Sequence, residues 1–474
     1  MNRRQFLGVG STLAASASLA STRALAVADD VPGESAALAP KTSRLAPVQR
    51  AFEYLDFAMD AYQQGATPRL IQTYADQADL GSTAYVADSA IAVTAYLLRG
   101  RRSDLDRARL LGDSLLYAQA HDPVYSDGRL RDAYWVGPFD IPGAHTDSYF
   151  VRDDGFVNLV GPPFSFLATA TVGVAWAGVA LTRLYKRTRD RRYLDGAIRL
   201  GDWIVENAHD DVGPGGFSFG VDNDNQRITN IKSGEHNALA CALFANLAAI
   251  TGESGWAAEA AHARAFLEYL WNPDGGFFYV GSDGAGDRNT TTVATNVETL
   301  SYLVLRTAPY GAGLDWAKTN LATTDTPQAP HSNLSGTFRV SGVSFTSGSR
   351  HPVQPASDPQ PDPDAVWFEG NSQLAAALRV RQRGPDGDLP GFYGDVATAA
   401  ALLEQVALIQ SAAARSHFAL AQTVNGAAGP DGAGVLSASS TLDTSFGGRM
   451  LQVLHTSATA WYLIAVLDPN PFRF

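Results

Sequence analysis

Apolar residues along the chain follow two alternating helical patterns. Over residues 84–98 they fall on nearly every face of a helix, which is typical of a helix surrounded by other helices. Over residues 103–119 they form a single stripe, which is typical of an amphipathic helix on the outside of a bundle. The two patterns together predict a helical hairpin with one inner and one outer member.

The same pair recurs along the chain. Further inner and outer pairs are predicted at 166–184 with 193–205, 235–250 with 256–271, 296–305 with 313–321, and 369–380 with 396–411. A last apolar helix at 455–467 would pair with the first helix, 48–62, and close a ring. Because paired helices repeating around an axis form a repeat architecture, we predict an all-α fold, an (α/α)6 toroid of six helical hairpins.

The connections between the predicted helices also alternate. Inner-to-outer links are short, whereas outer-to-inner links are long and rich in Gly and aromatic residues. We predict a small β-hairpin within 333–345 and a Pro/Asp-rich loop at 351–363, both as insertions at the rim of the ring. Long loops collected on one face usually carry function, so the binding face is expected where the inner helices begin.

The N-terminus has the order of regions found in export signals. Asn2-Arg3-Arg4-Gln5-Phe6-Leu7 precedes a weakly apolar stretch over 8–20 and the small residues Ala24 and Ala26. The paired arginines resemble those of the twin-arginine route. We therefore predict a signal peptide over residues 1–28, a single toroid catalytic domain over 29–474, and export to the periplasm or the outside of the cell.

Composition narrows the class of partner. With 45% hydrophobic and 18% charged residues, the chain can bury a large core. The single Cys241 excludes an intramolecular disulfide and a multi-cysteine metal cluster. A formal net charge of −12 disfavours nucleic acid, anionic lipid and polyuronates, which leaves a neutral partner as the easier interpretation. We expect a monomer with no cofactor and, once the signal is removed, no membrane span.

Chemistry-bearing side chains stand where the inner helices are predicted to begin. They are Asp88, Ser165 or Thr169, Glu235 with His236, Glu298, Glu369, and His455. In a ring of six the first helix faces the fourth and the third faces the sixth, so Asp88 would face Glu298 and Glu235 would face His455. Glycosidic cleavage needs one protonated and one ionised carboxyl, which this set could supply. The alternative is that each acid only complements a helix dipole.

Aromatic residues in the long loops could stack on sugar rings or could anchor the loops in the core. They are Tyr134, Trp135, Phe139, Tyr149, Phe217, Phe219, Phe278, Tyr279 and Trp367. Asp222-Asn223-Asp224-Asn225 lacks the Gly and distal Glu of a calcium loop, so a surface turn is the better interpretation. No histidine spacing supports zinc, and we predict no metal.

Several motifs resemble those of one known group. Lys232-Ser233-Gly234-Glu235-His236-Asn237 resembles a Glu-His-Asn motif of bacterial proteins in the six-hairpin glycosidase-like superfamily. The resemblance extends to residues 85–88, 366–371 with Gln373, 457–461 and 470–472, and so covers essentially the whole mature chain. It implies the toroid fold and singles out Asp88, Glu235 and Glu369.

The leading hypothesis is a glycoside hydrolase acting on a neutral oligo- or polysaccharide. Glu235 would be the general acid and Asp88 or Glu369 the base, spaced to admit a water, which implies inversion. Glu298 is a further catalytic candidate. Candidates for substrate binding are His236, Asn237, Trp135, Phe217, Tyr279, Trp367, Gln373 and His455.

Three alternatives remain open at this point. A polysaccharide lyase would use Tyr134 or a histidine as base and Arg131 or Arg152 against a uronate carboxylate. A sugar epimerase would use the same toroid, although the export signal is less typical of one. A non-catalytic glycan-binding toroid would be favoured if the carboxylates at the mouth formed salt bridges with Arg or Lys.

Overall fold

Helices dominate the computed structural model, which describes residues 45–62, 65–78, 80–122, 124–136, 149–151, 157–159, 167–352, 359–383, 393–413 and 422–472. The predicted signal peptide and the start of the mature domain lie outside these residues. Within them the helices are α1 (Leu45–Asp60), α2 (Val86–Arg99), α3 (Arg102–Ala120), α4 (Thr171–Thr188), α5 (Arg191–Ala208), α6 (Gly234–Thr251), α7 (Ser254–Leu270), α8 (Thr295–Leu305), α9 (Gly311–Asn320), α10 (Phe368–Arg383), α11 (Tyr393–Ala413) and α12 (Thr456–Leu467).

The helices form the predicted closed ring. The even-numbered helices pack on one another in the order α2, α4, α6, α8, α10 and α12, and α12 packs back on α2. Each of the inner helices α2, α4, α6, α8 and α10 also packs against the outer helix that follows it, while α12 packs against α1. The six hairpins are therefore an (α/α)6 toroid, and the predicted pairing of the first helix with the last is confirmed.

The inner helices pack closely because small residues stand at their contacts. A Cβ added at Gly178 of α4 would lie 2.6 Å from the Leu243 side chain of α6, so any larger residue would force that side chain to move. Trp176 of α4 meets Trp461 of α12 edge to face at 5.9 Å, although α2 lies between these helices in the ring. Their contact therefore runs through the interior of the ring. None of the described helices is both long enough and apolar enough to cross a membrane.

The N-termini of the inner helices are held by one repeated hydrogen bond. The first backbone N–H of each inner helix donates to a carbonyl in an extended segment that lies across the end of the helix, which we call a strap. Donor and strap acceptor are Val86 and Asp132, Thr171 and Phe219, Gly234 and Val280, Thr295 and Phe345, Phe368 and Ser437, and Thr456 and Thr73. This sixfold pattern places all six N-termini on one face of the ring, which we call the mouth.

Short strands decorate the rim. They are β1 (Thr83–Tyr85), β2 (Ala133–Trp135), β3 (Tyr149–Val151), β4 (Val157–Leu159), β5 (Thr169–Ala170), β6 (Gly220–Val221), β7 (Arg227–Ile228), β8 (Ile231–Ser233), β9 (Trp271–Asn272), β10 (Phe277–Phe278), β11 (Gly281–Asp283), β12 (Ala322–Asp325), β13 (Val340–Val343), β14 (Thr423–Val424), β15 (Ala427–Ala428), β16 (Val435–Leu436), β17 (Leu442–Asp443), β18 (Arg449–Met450) and β19 (Leu454–His455). The predicted hairpin within 333–345 is wrong in its pairing, because β13 pairs antiparallel with β12 instead. Small rim hairpins are nevertheless present, as predicted.

Candidate active site

A histidine lies between two carboxylates at the mouth. Nε2 of His455 is 3.3 Å from Oδ2 of Asp88, and its Nδ1 is 3.8 Å from Oε2 of Glu369. Tyr74 stacks on the imidazole, with ring centroids 4.3 Å apart and planes 11° from parallel. All four side chains are buried. This cluster joins α10, α12 and α2, which are neighbours in the ring.

Glu369 is oriented by a second set of bonds. Its Oε1 accepts a hydrogen bond of 2.9 Å from Nε2 of Gln373, and Oε1 of Gln373 accepts one of 3.1 Å from the Thr299 hydroxyl. Burial raises the pKa of Glu369 to about 7, with a smaller contribution from the charge of Asp88 and against the lowering effect of His455. Gln373, a predicted substrate-binding residue, therefore contacts a catalytic candidate directly.

Glu235 lies on the opposite side of the same mouth. Its Oε2 accepts a hydrogen bond of 2.8 Å from Nδ2 of Asn296. Its side chain is partly exposed, whereas Asp88 is fully buried. The crowded mouth still desolvates the carboxyl and raises the pKa of Glu235 to about 7, against the hydrogen bond from Asn296. The charge of Glu235 also raises the pKa of Glu369, so the two carboxyls share one electrostatic environment.

Position within the first helical turn decides which side chains meet at the mouth. The second residue of four consecutive inner helices is polar: Glu235 in α6, Asn296 in α8, Glu369 in α10 and Ser457 in α12. Glu235 bonds Asn296, and Glu369 interacts with Ser457. The polar contacts at the mouth thus join neighbouring inner helices. The ring order places α6 opposite α12, as predicted for Glu235 and His455, while the contacts of His455 are with Asp88 and Glu369.

Glu298 does not join this group. It is the fourth residue of α8, so its side chain points toward the outer ring, where Oε1 accepts a hydrogen bond of 2.8 Å from the Phe278 backbone N–H. A Cβ added at Gly313 of α9 would collide with its Oε2. Burial raises the pKa of Glu298 well above its ordinary value. Its predicted position opposite Asp88 is therefore wrong, and the geometry makes it a buried contact between hairpin members.

His236 and Asn237 of the Glu-His-Asn motif pack against the chain segment that lies beside the start of α6. Nδ2 and Oδ1 of Asn237 bond the backbone O and N of Phe217 at 3.0 and 2.8 Å, so Asn237 fixes a strap. His236 is buried against Phe219, with ring centroids 4.1 Å apart, and burial lowers the pKa of its imidazole to about 3. His236 is therefore neutral and packed. In this conformation neither residue has the exposure predicted for a substrate contact.

Most of the predicted stacking platforms are packed in the interior. Phe217, Trp135 and Trp367 are all buried, and Trp367 meets Phe345 edge to face at 4.8 Å. Tyr279 is partly exposed, and its hydroxyl accepts a hydrogen bond of 3.0 Å from Nδ2 of Asn272. Phe217, Trp135 and Trp367 therefore anchor their loops in the core, which was the alternative to sugar stacking, because aromatic rings bury a large apolar area. Phe139 and the side chain of Tyr149 lie outside the described residues.

The structure adds residues that the sequence analysis missed. Asn296 and Ser457 could have been found from the helix starts, because each occupies the second position that carries Glu235 and Glu369 in neighbouring helices. Tyr74 gives no such signal, since it lies in a segment outside the helical repeat.

One group of side chains resembles a metal site in composition but not in orientation. Ligand atoms of His209, Asp211 and His262 lie within 4.8 Å of one another. The two imidazoles stack with centroids 4.1 Å apart and planes 7° from parallel, so they cannot both direct a nitrogen lone pair at one ion in the ring planes. Nδ1 of His209 is 2.9 Å from Glu259. This geometry fits a clamp between two outer helices, and the absence of a metal stays a prediction.

The arrangement bears on two alternatives. Arg131, proposed for a lyase, is buried and paired with Asp122 at 2.5 and 2.7 Å, so it cannot face a uronate carboxylate. Arg152 lies outside the described residues. Within the part of the chain that the structure describes, Asp88 and Glu369 face His455, and Glu235 bonds an amide rather than Arg or Lys. The salt bridges with Arg or Lys that would favour a non-catalytic glycan-binding toroid are therefore not found for these three carboxylates.

The raised pKa values predict how stability depends on pH. The pKa values of Glu235 and Glu369 rise from 4.5 to about 7 on folding. Between these values the folded chain holds protons that the unfolded chain has released, so stability is lost as pH rises through this window. We expect the midpoint of thermal unfolding to fall from pH 5 to pH 8. A midpoint that rises steadily over this range would contradict the assignment, and the Glu369→Gln variant should show a flatter slope.

Comparisons with known proteins identify the fold. No protein-family model and no curated protein matches the sequence. A cellobiose 2-epimerase from Bacillus thermoamylovorans matches the structure with a TM-score of 0.57 at 10% identity, over 90% of this chain and 98% of that one. A sugar epimerase from a ruminal bacterium gives 0.54 at 12%, over 89% and 99%. A family 76 α-mannanase from Bacteroides thetaiotaomicron gives 0.51 at 10%, over 90% and 96%. Identities this low establish the shared toroid fold alone.

Proposed function

We propose that the chain is a glycoside hydrolase that cleaves a neutral oligo- or polysaccharide with Glu235 as its general acid. One observation carries the proposal: of Asp88, Glu235 and Glu369, Glu235 alone keeps part of its side chain exposed at the mouth. A general acid must reach the leaving oxygen and still hold a proton near the working pH. With its pKa raised to about 7, Glu235 meets the second requirement as well.

Glu369 is the base in this proposal, and Asp88 acts through His455. The charge of Glu235 raises the pKa of Glu369, although less than burial does, so an ionised Glu235 favours a protonated Glu369, and the assignment of Glu369 as base needs Glu235 to hold its proton. Asp88 is fully buried on the far side of His455, which suits a positioning role. A water between Glu235 and Glu369 would attack the anomeric carbon and invert it.

The substrate is proposed to be uncharged. The net charge of −12 repels anionic glycans, while neutral sugars carry no such penalty. The similar structures include an α-mannanase and a cellobiose 2-epimerase, so α-mannan and cello-oligosaccharides are the first glycans to test. One chain supplies all six hairpins of the ring, and we propose that it works as a monomer.

A glycan screen with product analysis tests the function. The mature protein is incubated with a panel of neutral glycans, and new reducing ends and their anomeric form are followed by NMR spectroscopy. We expect chain cleavage with inversion. Retention would overturn the proposed spacing of the two carboxyls, and failure to cut any neutral glycan would overturn the hydrolase itself.

A sugar epimerase is the second candidate, and His455 is the observation that favours it. An imidazole held between two carboxylates can remove a proton from the carbon beside a sugar carbonyl. The same screen separates the two functions if it is run in D2O with cellobiose. An epimerase would place deuterium at that carbon and release no monosaccharide, whereas a hydrolase would cleave the disaccharide without exchange.

We also propose export by the twin-arginine route. Replacing both Arg3 and Arg4 with Lys should leave the precursor in the cytoplasm, because recognition on that route depends on the arginine pair. Cell fractionation with immunoblotting gives the measurement, and Arg23→Lys, outside the pair, is the matched control. Export of the doubly substituted precursor at the normal level would assign it to the general secretory route.

A further inference from the structure

The sixfold hydrogen-bond pattern allows two sectors of the mouth to be compared residue by residue. Asp132 and Phe219 occupy equivalent strap positions: each accepts a bond of 2.9 Å from the first N–H of an inner helix. Each also donates from its own N–H to the segment that leads into the next inner helix, at 3.0 and 3.2 Å. Asp132 therefore stands before α4 as Phe219 stands before α6.

The two sectors are filled differently. Before α6, Phe219 packs against His236, the third residue of the helix, at 4.1 Å. The third residue of α4 is Gly173. A Cβ added there would meet no described atom within 4 Å, although the residue is buried. Where the α6 sector holds an imidazole and a phenyl ring, the described residues of the α4 sector leave an opening at Gly173, the position equivalent to His236, and Asp132 takes the position equivalent to Phe219.

Helix packing does not account for this glycine. Five residues further along α4, a Cβ on Gly178 would press on the Leu243 side chain, so the contact with α6 accounts for Gly178. Gly173 makes no such contact. Glycine destabilises a helix relative to alanine, so its presence at position 173 calls for a reason. Keeping open a space that an alanine methyl group would narrow is such a reason.

Two polar side chains lie close to the start of α4. Oδ1 of Asp132 accepts a bond of 2.6 Å from the N–H of Ala170, the residue that caps α4. The hydroxyl of Thr169, one residue earlier, is buried and has no hydrogen-bond partner within the described residues. Burial raises the pKa of Asp132 to about 7, so near neutral pH its carboxyl can donate or accept. A buried hydroxyl without a partner is costly, so the Thr169 hydroxyl is available to bond a polar ligand that enters here.

We propose that this opening is a sugar-binding subsite in which Asp132 and Thr169 bind hydroxyl groups of a neutral glycan and Gly173 provides the space for its ring. The inference rests on the proposed glycan function and extends it by naming residues that determine which sugar fits. Sugar hydroxyls both donate and accept, which matches a carboxyl beside a hydroxyl. A uronate carboxylate would be repelled by Asp132 whenever that carboxyl is ionised, so a neutral sugar fits the subsite better.

Binding measured apart from cleavage tests the subsite. The parent is the full mature protein carrying Glu235→Gln, titrated calorimetrically with α-manno- and cello-oligosaccharides from disaccharides to hexasaccharides. Gly173→Leu fills the opening and should weaken binding of the best oligosaccharide by about tenfold or more. Asp132→Asn should weaken it by a smaller factor, because an amide keeps the shape. Gly255→Ala, an exposed glycine in α7 with equally open surroundings, is the matched control and should change nothing.

The Gly173→Ala variant tests whether weaker binding by Gly173→Leu comes from misfolding rather than from filling the opening. Its methyl group would meet no atom of the described residues within 4 Å and alanine favours helix, so its thermal midpoint should equal or exceed that of the parent while its binding weakens measurably. If Gly173→Leu and Gly173→Ala both bind as tightly as the parent, or the parent binds no oligosaccharide in the panel, the subsite is overturned. Binding that depends on Gly173 in a protein that cleaves no glycan would retain the subsite and overturn only the hydrolase.

Discussion

Replacing Glu235 with Gln is expected to lower turnover of a natural glycan roughly 100- to 10,000-fold, the usual contribution of general acid catalysis. The amide keeps the size of the carboxyl and can still accept the hydrogen bond from Asn296, so folding and substrate binding should change little. Steady-state kinetics on the glycan identified by the screen give the measurement. The loss should appear in kcat more than in KM, because the proton is needed in the transition state.

The leaving group provides the sharper test of Glu235. Glycosyl fluorides and aryl glycosides with acidic phenols need little protonation, so Glu235→Gln should lose far less activity on them than on the natural glycan. Glu206→Gln, at an exposed glutamate of α5, is the matched control and should behave like the parent on both substrates. Full activity of Glu235→Gln on the natural glycan would show that another residue is the acid, and Glu369 would be the next candidate.

Replacing Glu369 with Gln is expected to remove activity on natural and activated substrates alike, again by roughly 100- to 10,000-fold. Activation of water is needed whatever the leaving group is, so a good leaving group cannot compensate for a lost base. Gln373, itself held by the Thr299 hydroxyl, would still donate a hydrogen bond to the substituted side chain. The kinetics are measured on the same two substrate types as for Glu235→Gln, with Glu404→Gln on the exposed face of α11 as control.

The two variants together assign the roles. The proposal requires selective recovery on activated substrates for Glu235→Gln and no recovery for Glu369→Gln. The reverse result would exchange acid and base, since the pKa of each carboxyl is raised to about 7. If both variants regained activity on activated substrates, neither Glu235 nor Glu369 would be the base. Asp88, in contact with His455, would then be the remaining carboxylate of the group.

The helices of the ring could be predicted from the sequence because their pattern is local. An inner helix such as α12 is apolar on every face and an outer helix such as α5 has one stripe, and both patterns are complete within a few turns. Segment 166–184 was extended too far toward its N-terminus, since Thr169 and Ala170 form a strand with β6. The pairing of β12 with β13 was missed because it joins residues on either side of a loop, which no local pattern encodes.

The candidate site could be predicted only in part. Residue type identified Asp88, Glu235 and Glu369, but the contact of a side chain depends on its exact place in the first turn, which sequence fixes only to within a residue or two. Glu298 stands two residues beyond Asn296, and this offset turns it from the mouth to the outer ring. Asp132 was missed for another reason: its position is set by straps of distant hairpins, and its own segment resembles an ordinary loop.

Closure of the ring by α1 and α12 has a consequence for how the newly made chain matures. These helices lie at opposite ends of the described sequence, and the entropy lost on joining two segments grows with the length of chain between them. Until α12 leaves the ribosome, α2 and α10 lack a neighbour, and their apolar flanks stay open to other nascent chains. We therefore expect the precursor to depend on a holding chaperone during synthesis and to become resistant to protease in one late step, when the last hairpin docks.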